Sequence, residues 1–295
     1  MFPSFLPAAV GQLTEAESIA LARSIQIHAI ATPLSNQPIT TAYVHQGSGG
    51  IPILLIHGFD SSVLEFRRLL PLLAQENATW AVDLLGFGFT ERLAGLQFSP
   101  VAIKTHLYYF WKTLINQPVI LVGASMGGAA AIDFTLTYPE VVEKLVLIDS
   151  AGLRGGSPLT KFMFPPLDYM AAQFLRSPKV RDRVARAAYK NPSFATVDAL
   201  YCGALHLEMP SWPEALIAFT KSGGYTAFRF KKLAEITSPT LILWGDSDKI
   251  LGTEDGKRFK RAIPHSQLIW IEDCGHIPHL EQPKITAQHI LNFRR

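Results

Sequence analysis

"VGASMGGAA", residues 122–130, places one serine among glycines and alanines, overlapping the end of the apolar run "PVILVG" (118–123). A short apolar run without alternation reads as a strand buried on both faces of a parallel sheet. Ser125 then falls where that strand reverses into a helix starting near Met126, and Gly123, Ala124, Gly127 and Gly128 keep the turn uncrowded. A side chain at such a turn projects above the C-terminal edge of the sheet, where ligands of α/β sheets bind. The helix N-terminus offers free N–H groups and a partial positive charge to an oxyanion. Gly-x-Ser-x-Gly in a strand–turn–helix context has the form of a nucleophile elbow.

Working outward, similar runs recur at "IPILLIH" (51–57), "TWAVD" (79–83), "KLVLID" (144–149), "PTLILWG" (239–245) and "SQLIWIE" (266–272). Helix-length segments such as Val63–Leu73 and Ala129–Tyr138 lie between most of them. The alternation predicts a doubly wound, mostly parallel α/β sheet. Ahead of it, "IQIHAIATPL" and "ITTAYVHQG" alternate more strongly, as an antiparallel hairpin at a sheet edge does. The rhythm breaks once, where a stretch rich in Pro, Phe, Tyr, Leu and Arg reads as helices and loops. The expected organisation is a core of residues 1–151 and 237–295 with a helical cap at 152–236.

A serine hydroxyl is a poor nucleophile until a base takes its proton and a carboxylate orients that base. The order Ser, acid, His is met by "WGDSDKI" after strand 239–245 and "DCGHIPH" after strand 266–272. Asp248 is the expected acid and His276 the expected base, with Asp149 and Asp246 as competitors for the acid because they also follow strand ends. An oxyanion needs two donors: the Met126 amide, and the Phe59 amide from "HGFD". His57 and Asp83 read as loop-tying residues, Cys274 as a small buried residue, and His279 as an exposed side chain at a helix start.

With these landmarks placed, the chain resembles a cap-bearing α/β-hydrolase over residues 38–295, on "HGFD", "GASMGG", "WGDSD" and "GHIPHLEQP" in order. "DLLGFGFT" (83–90) adds the Asp-x-x-Gly-x-Gly turn common in that family, while Asp60 stands where relatives often have proline. The resemblance implies hydrolysis at a carbonyl by Ser125, His276 and Asp248. The expected substrate is a carboxylic ester of an apolar small molecule. Carbon–carbon hydrolysis of a diketone uses the same residues, and a receptor that keeps the fold without turnover is the rival from another class. A serine at the nucleophile position speaks against the aspartate-dependent dehalogenase and epoxide-hydrolase branches.

Composition narrows the partners. Of the 295 residues 48% are hydrophobic, and 27 basic against 24 acidic residues leave +3, too slight to suggest nucleic-acid binding. The histidines lack zinc-type spacing and no phosphate loop or dinucleotide fingerprint occurs, so neither metal nor cofactor is expected. Two cysteines, Cys202 and Cys274, make no disulfide framework. With no secretory pattern at "MFPSFLPAAVGQLTEAE", a reduced, cytoplasmic setting is expected. The uncharged run Thr113–Ile132 contains Asn116, Gln117, Pro118 and three glycines and reads as strand, turn and helix, not as a membrane span.

Charge is uneven, with twelve basic and six acidic residues in 152–236. Lys179, Arg183, Arg186 and Lys190 form one stripe of a helix begun by Ser177-Pro178. A solvated face is the plain reading, and peripheral contact with anionic lipid, assisted by exposed aromatics of "MFPSFL", is the other. "KFMFPPLDYMAAQFL" (161–175), Trp212, Phe219, Tyr225 and Phe228 are expected to wall an apolar substrate pocket.

Overall fold

The computed structural model describes residues 1–154, 164–225 and 227–293. Eight strands run in the order β1-β2-β4-β3-β5-β6-β7-β8. β1 (Gln26–Ile30) and β2 (Ile39–Gln46) form the antiparallel edge hairpin, and β2 pairs antiparallel with β4 (Thr79–Val82). From β4 onward all pairings are parallel, through β3 (Ile53–Ile56), β5 (Val119–Ala124), β6 (Val142–Ile148), β7 (Thr240–Gly245) and β8 (Ser266–Ile271). Every residue of β3, β5 and β7 is buried. This explains why those runs are apolar at successive positions: each strand has a core on both sides.

The two sides can be read along β3. Leu54 and Ile56 join the cluster that contains α3 (Pro100–Leu114), α4 (Met126–Thr137) and α10 (Glu254–Ala262). Ile53 and Leu55 face the cluster with α1 (Ala16–Arg23), α2 (Leu70–Leu73) and α12 (Pro283–Phe293). Each such fully buried aliphatic side chain contributes about 1.5–3 kcal/mol relative to exposure.

Between β6 and β7 lies the helical insertion, with α5 (Leu167–Arg176), α6 (Pro178–Ala188), α7 (Val197–Cys202), α8 (Trp212–Lys221) and α9 (Phe230–Leu233). Of the cap residues named from sequence, Lys161, Phe162 and Met163 lie outside the described residues. A last short helix, α11 (Pro278–Glu281), follows β8. No helix among the described residues is long and apolar enough to cross a membrane.

Two local expectations need correction. Val63–Leu73 is not one helix but a 3-10 turn, Val63–Phe66, followed by the short α2. Pro71 at the head of α2 has no N–H to donate back to Arg67, so a continuous helix would lose a bond there. The N-terminal aromatics are not held out to solvent either, since Phe2 and Phe5 pack on the second cluster and Arg23 sits over the Phe2 ring at 5.3 Å.

Candidate active site

Ser125 occupies the reversal between β5 and α4 with φ 51° and ψ −119°, a conformation an L-residue adopts only under constraint. The constraint is close packing of the turn. A Cβ on Gly123 would meet the Gly127 carbonyl oxygen at 2.3 Å, and one on Gly127 would meet the Ile56 carbonyl oxygen at 2.2 Å. Only glycine lets α4 begin this close to β5 and β3, which answers why the serine stands among glycines.

The His276 Nε2 and Ser125 Oγ are 2.9 Å apart, and His276 Nδ1 is 2.9 Å from Asp248 Oδ2. Each side chain comes from the end of a different parallel strand, and the loops that carry them are fixed. The His276 amide donates to the Ala188 carbonyl at 2.7 Å, which ties the histidine loop to the end of α6. Asp248 Oδ1 accepts from the Ile250 and Leu251 amides at 2.7 and 3.0 Å, leaving Oδ2 for the imidazole. Burial pushes the Asp248 carboxyl up, but the His276 hydrogen bond and charge and these two amides outweigh it and hold it below the usual carboxylate range.

The two competing acids have other places. Asp246 is exposed and accepts from the Asp273 and Cys274 amides at 3.1 and 3.3 Å, bracing the loop that leads to His276. Asp149 is fully buried and accepts from the Gly245 amide at 3.1 Å. Its carboxylate, that of Asp248 and a His276 ring nitrogen lie within 4.8 Å of one another. Burial, the Asp248 charge and a hydrogen bond between the two carboxyls push Asp149 well above its ordinary range, against the Gly245 amide. Of the two carboxyls, Asp149 is therefore the one that holds its proton more tightly and Asp248 the one that ionises first. Among the described residues this is the one grouping close enough to surround a cation. Both His276 nitrogens are already engaged by Ser125 and Asp248, so no ring lone pair is left for a metal.

Opposite the serine, the amides of Phe59 and Met126 donate to no acceptor among the described residues, Met126 being the first residue of α4. The backbone that presents Phe59 is held from behind. The Gly58 amide donates to Glu65 Oε2 at 3.0 Å, and Glu65 Oε1 lies 3.1 Å from His279 Nε2. Burial raises Glu65, but His279 by contact and charge, and His57 by charge, pull its carboxyl down to about 2. His279 is thus buried, not exposed as its place at a helix start suggests, because an acid from the first half of the chain sits beneath it. His57 bridges Gly58 and Leu84: Nδ1 donates to the Gly58 carbonyl at 2.8 Å and Nε2 accepts the Leu84 amide at 3.1 Å. Asp83 accepts the Val63 and Phe89 amides at 2.6 and 2.7 Å, and both residues tie loops as their sequence context indicates. Cys274 is buried, and burial pushes its thiol up and away from reactivity.

Asp60 is the residue whose importance the sequence only hinted at. It is buried with φ 49°, and it accepts from Arg181 Nη2 at 2.6 Å, Trp212 Nε1 at 2.8 Å and His206 Nε2 at 3.1 Å. Burial raises its pKa, but His206, Arg181 and Trp212 together hold it well below the carboxylate range. A proline there would make none of these bonds.

Ser125 and His276 open on a cavity of about 320 Å³ whose walls include Phe59, Val184, Ala185, Ala188, Leu200 and Ile277. Arg67 and Arg181 also line it, two cations not singled out from sequence. The cap's share of the wall comes from α6 and α7, which corrects the sequence expectation. Trp212 is buried in the cap's own core with Ala172, Leu207 and Leu216, and Phe219 packs edge-on against Phe87 and beside Phe59 without lining the cavity. Phe164, Leu167, Met170 and Phe174 face solvent.

The profile of the alpha/beta hydrolase family matches residues 53–289. The chain belongs to the alpha/beta hydrolase family. Among its relatives, the Arabidopsis thaliana alpha/beta hydrolase domain-containing protein VTE7 is 33% identical over 304 residues, covering 99% of this chain and 90% of that one. The 2-hydroxy-6-oxo-2,4-heptadienoate hydrolase of Pseudomonas putida is 28% identical over 253 residues, covering 81% of this chain and 87% of that one. Three further relatives, 26 to 28% identical, are also named as hydroxy-oxo-dienoate or hydroxymuconate semialdehyde hydrolases. Of the solved structures, a thermophilic esterase from Thermogutta terrifontis is 27% identical with a TM-score of 0.77, covering 91% of this chain and 97% of that one. This alpha/beta hydrolase is an enzyme.

Proposed function

We propose that this enzyme uses Ser125, His276 and Asp248 to hydrolyse a bond at a carbonyl carbon of a small apolar molecule, and that the bond is carbon–carbon in a diketone-like substrate. The observation that carries the serine reading is the unbroken chain Ser125 Oγ, His276, Asp248, with both contacts at 2.9 Å, at the floor of a largely apolar cavity. His276 takes the Ser125 proton as Oγ adds to the carbonyl, and the amides of Phe59 and Met126 receive the oxyanion. Collapse breaks the bond to the leaving fragment, whose own carbonyl accepts the electron pair as an enolate, and His276 returns the proton to it. Water, deprotonated by His276, then releases the acid, so one water is added across the bond.

The hydroxy-oxo-dienoate and hydroxymuconate semialdehyde hydrolases among the relatives favour carbon–carbon cleavage over the simple ester expected from sequence. Ester hydrolysis is the second reading, favoured by the esterase structure and by the same oxyanion geometry. A paired panel decides between them: apolar vinylogous diketones against esters matched in acyl chain, read as kcat/KM. Higher values for the diketones support the first reading, and ester turnover with inert diketones supports the second. Each buried methylene should contribute about 0.8 kcal/mol until the cavity is full.

A further inference from the structure

α5 is amphipathic the wrong way round for a helix that serves only the cap. Its inward side is short of large apolar residues: Ala172 joins Leu207, Trp212 and Leu216 with Leu175 packed beside them, and Asp168 accepts from Lys221 Nζ at 2.5 Å. Its outward side carries the large apolar residues. Leu167, Met170 and Phe174 are 60, 63 and 65% exposed, and Phe164 just before the helix is 64% exposed. The spacing aligns them as one stripe. Single exposed apolar side chains are ordinary, but a contiguous stripe of this kind marks an interaction surface.

The neighbouring surface is basic. Lys179, Arg183 and Arg186 are exposed on α6, and Arg176 closes α5. Arg186 is paired with Asp182 at 2.9 Å, whereas Arg176, Lys179 and Arg183 make no ion pair among the described residues. Residues 164–190 hold six basic and two acidic side chains. The inner side of the same α6 gives Arg181, Val184, Ala185 and Ala188 to the cavity, and Val184 is 52% exposed at its rim.

We infer that α5 and the outer side of α6 dock this enzyme on an anionic lipid bilayer, with the apolar stripe inserted and Arg176, Lys179 and Arg183 at the headgroups. Anionic lipid matches both halves of the surface: hydrocarbon takes the stripe, and headgroup phosphate takes the cations. A second copy of the chain is a poorer match, because a two-fold contact would set one basic face against another. Docking this way brings the cavity rim beside the acyl region, so an apolar substrate can pass from the bilayer to Ser125. The docking surface shares no residue with the reacting groups and stands independently of which bond is cleaved.

The test is flotation of the full chain with phosphatidylcholine vesicles, with and without phosphatidylglycerol, alongside Ser125 labelling by a soluble fluorophosphonate. The protein should float only with the anionic vesicles, and added salt should release it. Lys179→Glu with Arg183→Glu should weaken partitioning by about fivefold or more for each residue changed. Leu167→Ser with Phe174→Ser should abolish flotation, and all variants should label Ser125 at the wild-type rate. Absence of flotation by the labelling-competent wild type, or flotation indifferent to both double variants, overturns the inference. A dimer in sedimentation equilibrium that Leu167→Ser with Phe174→Ser dissolves also overturns it, by assigning the stripe to a second copy.

Discussion

Arg181 Nη2 lies 2.6 Å from Asp60 Oδ2, joining the loop that presents the Phe59 amide to the cap helix that walls the cavity. Both side chains are largely withdrawn from water, so the pair is a fixed link between core and cap. Removing one partner leaves the other's charge uncompensated.

Asp60→Ala should therefore destabilise the fold by about 3 kcal/mol. Asp60→Asn keeps an oxygen for Trp212 but no charge for Arg181, and it should raise KM more than it lowers kcat. Urea unfolding and steady-state kinetics on the two variants check this. Unchanged stability in Asp60→Ala would remove the link from the account.

Asp149 and Asp248 should respond differently to the same substitution. Asp248→Asn removes the charge that orients and stabilises the imidazolium, and turnover should fall by about 10⁴-fold. Asp149 holds its proton more tightly than Asp248, so Asp149→Asn, a neutral donor of the same shape, should cost no more than about tenfold, close to the net value of one hydrogen bond. A greater loss in Asp149→Asn than in Asp248→Asn would exchange their roles.

His106 supplies a pH signature of stability that is separate from the site. It is fully buried between α3 and β2, with Nε2 2.7 Å from Thr41 Oγ1, and burial lowers its pKa from 6.5 to about 4. Between those values the unfolded chain takes up a proton that the folded chain refuses. Stability is then complete above pH 6.5 and is lost as pH falls towards 4, by about 3 kcal/mol from this residue. His106→Gln keeps a partner for Thr41 without titrating. Its unfolding free energy should fall less steeply than the wild type's over that window, and parallel curves would contradict the assignment.

Much of the fold was legible because buried parallel strands and tight glycine turns leave local marks. The apolar runs marked all six parallel strands, and the glycines around Ser125 marked the turn that only they fit. The order of Asp248 and His276 after β7 and β8 followed from the same rhythm. The surroundings were less legible because they depend on contacts distant in sequence. His279 is buried by Glu65, over two hundred residues earlier. Asp149 has its pKa raised by burial beneath the sheet edge and by Asp248, which lies about a hundred residues later in the chain. The apolar stripe of α5 has the same period whether it faces a core or the outside, so sequence assigned it to the pocket and the structure turns it outward.

The central claim, that Ser125 is the nucleophile activated by His276, is tested most directly by peptide mapping after a fluorophosphonate probe. The adduct should fall on Ser125, should form far more slowly in His276→Ala, and should be absent in Ser125→Ala, whose turnover should drop by several orders of magnitude. An adduct on another residue, or turnover surviving in Ser125→Ala, would contradict it.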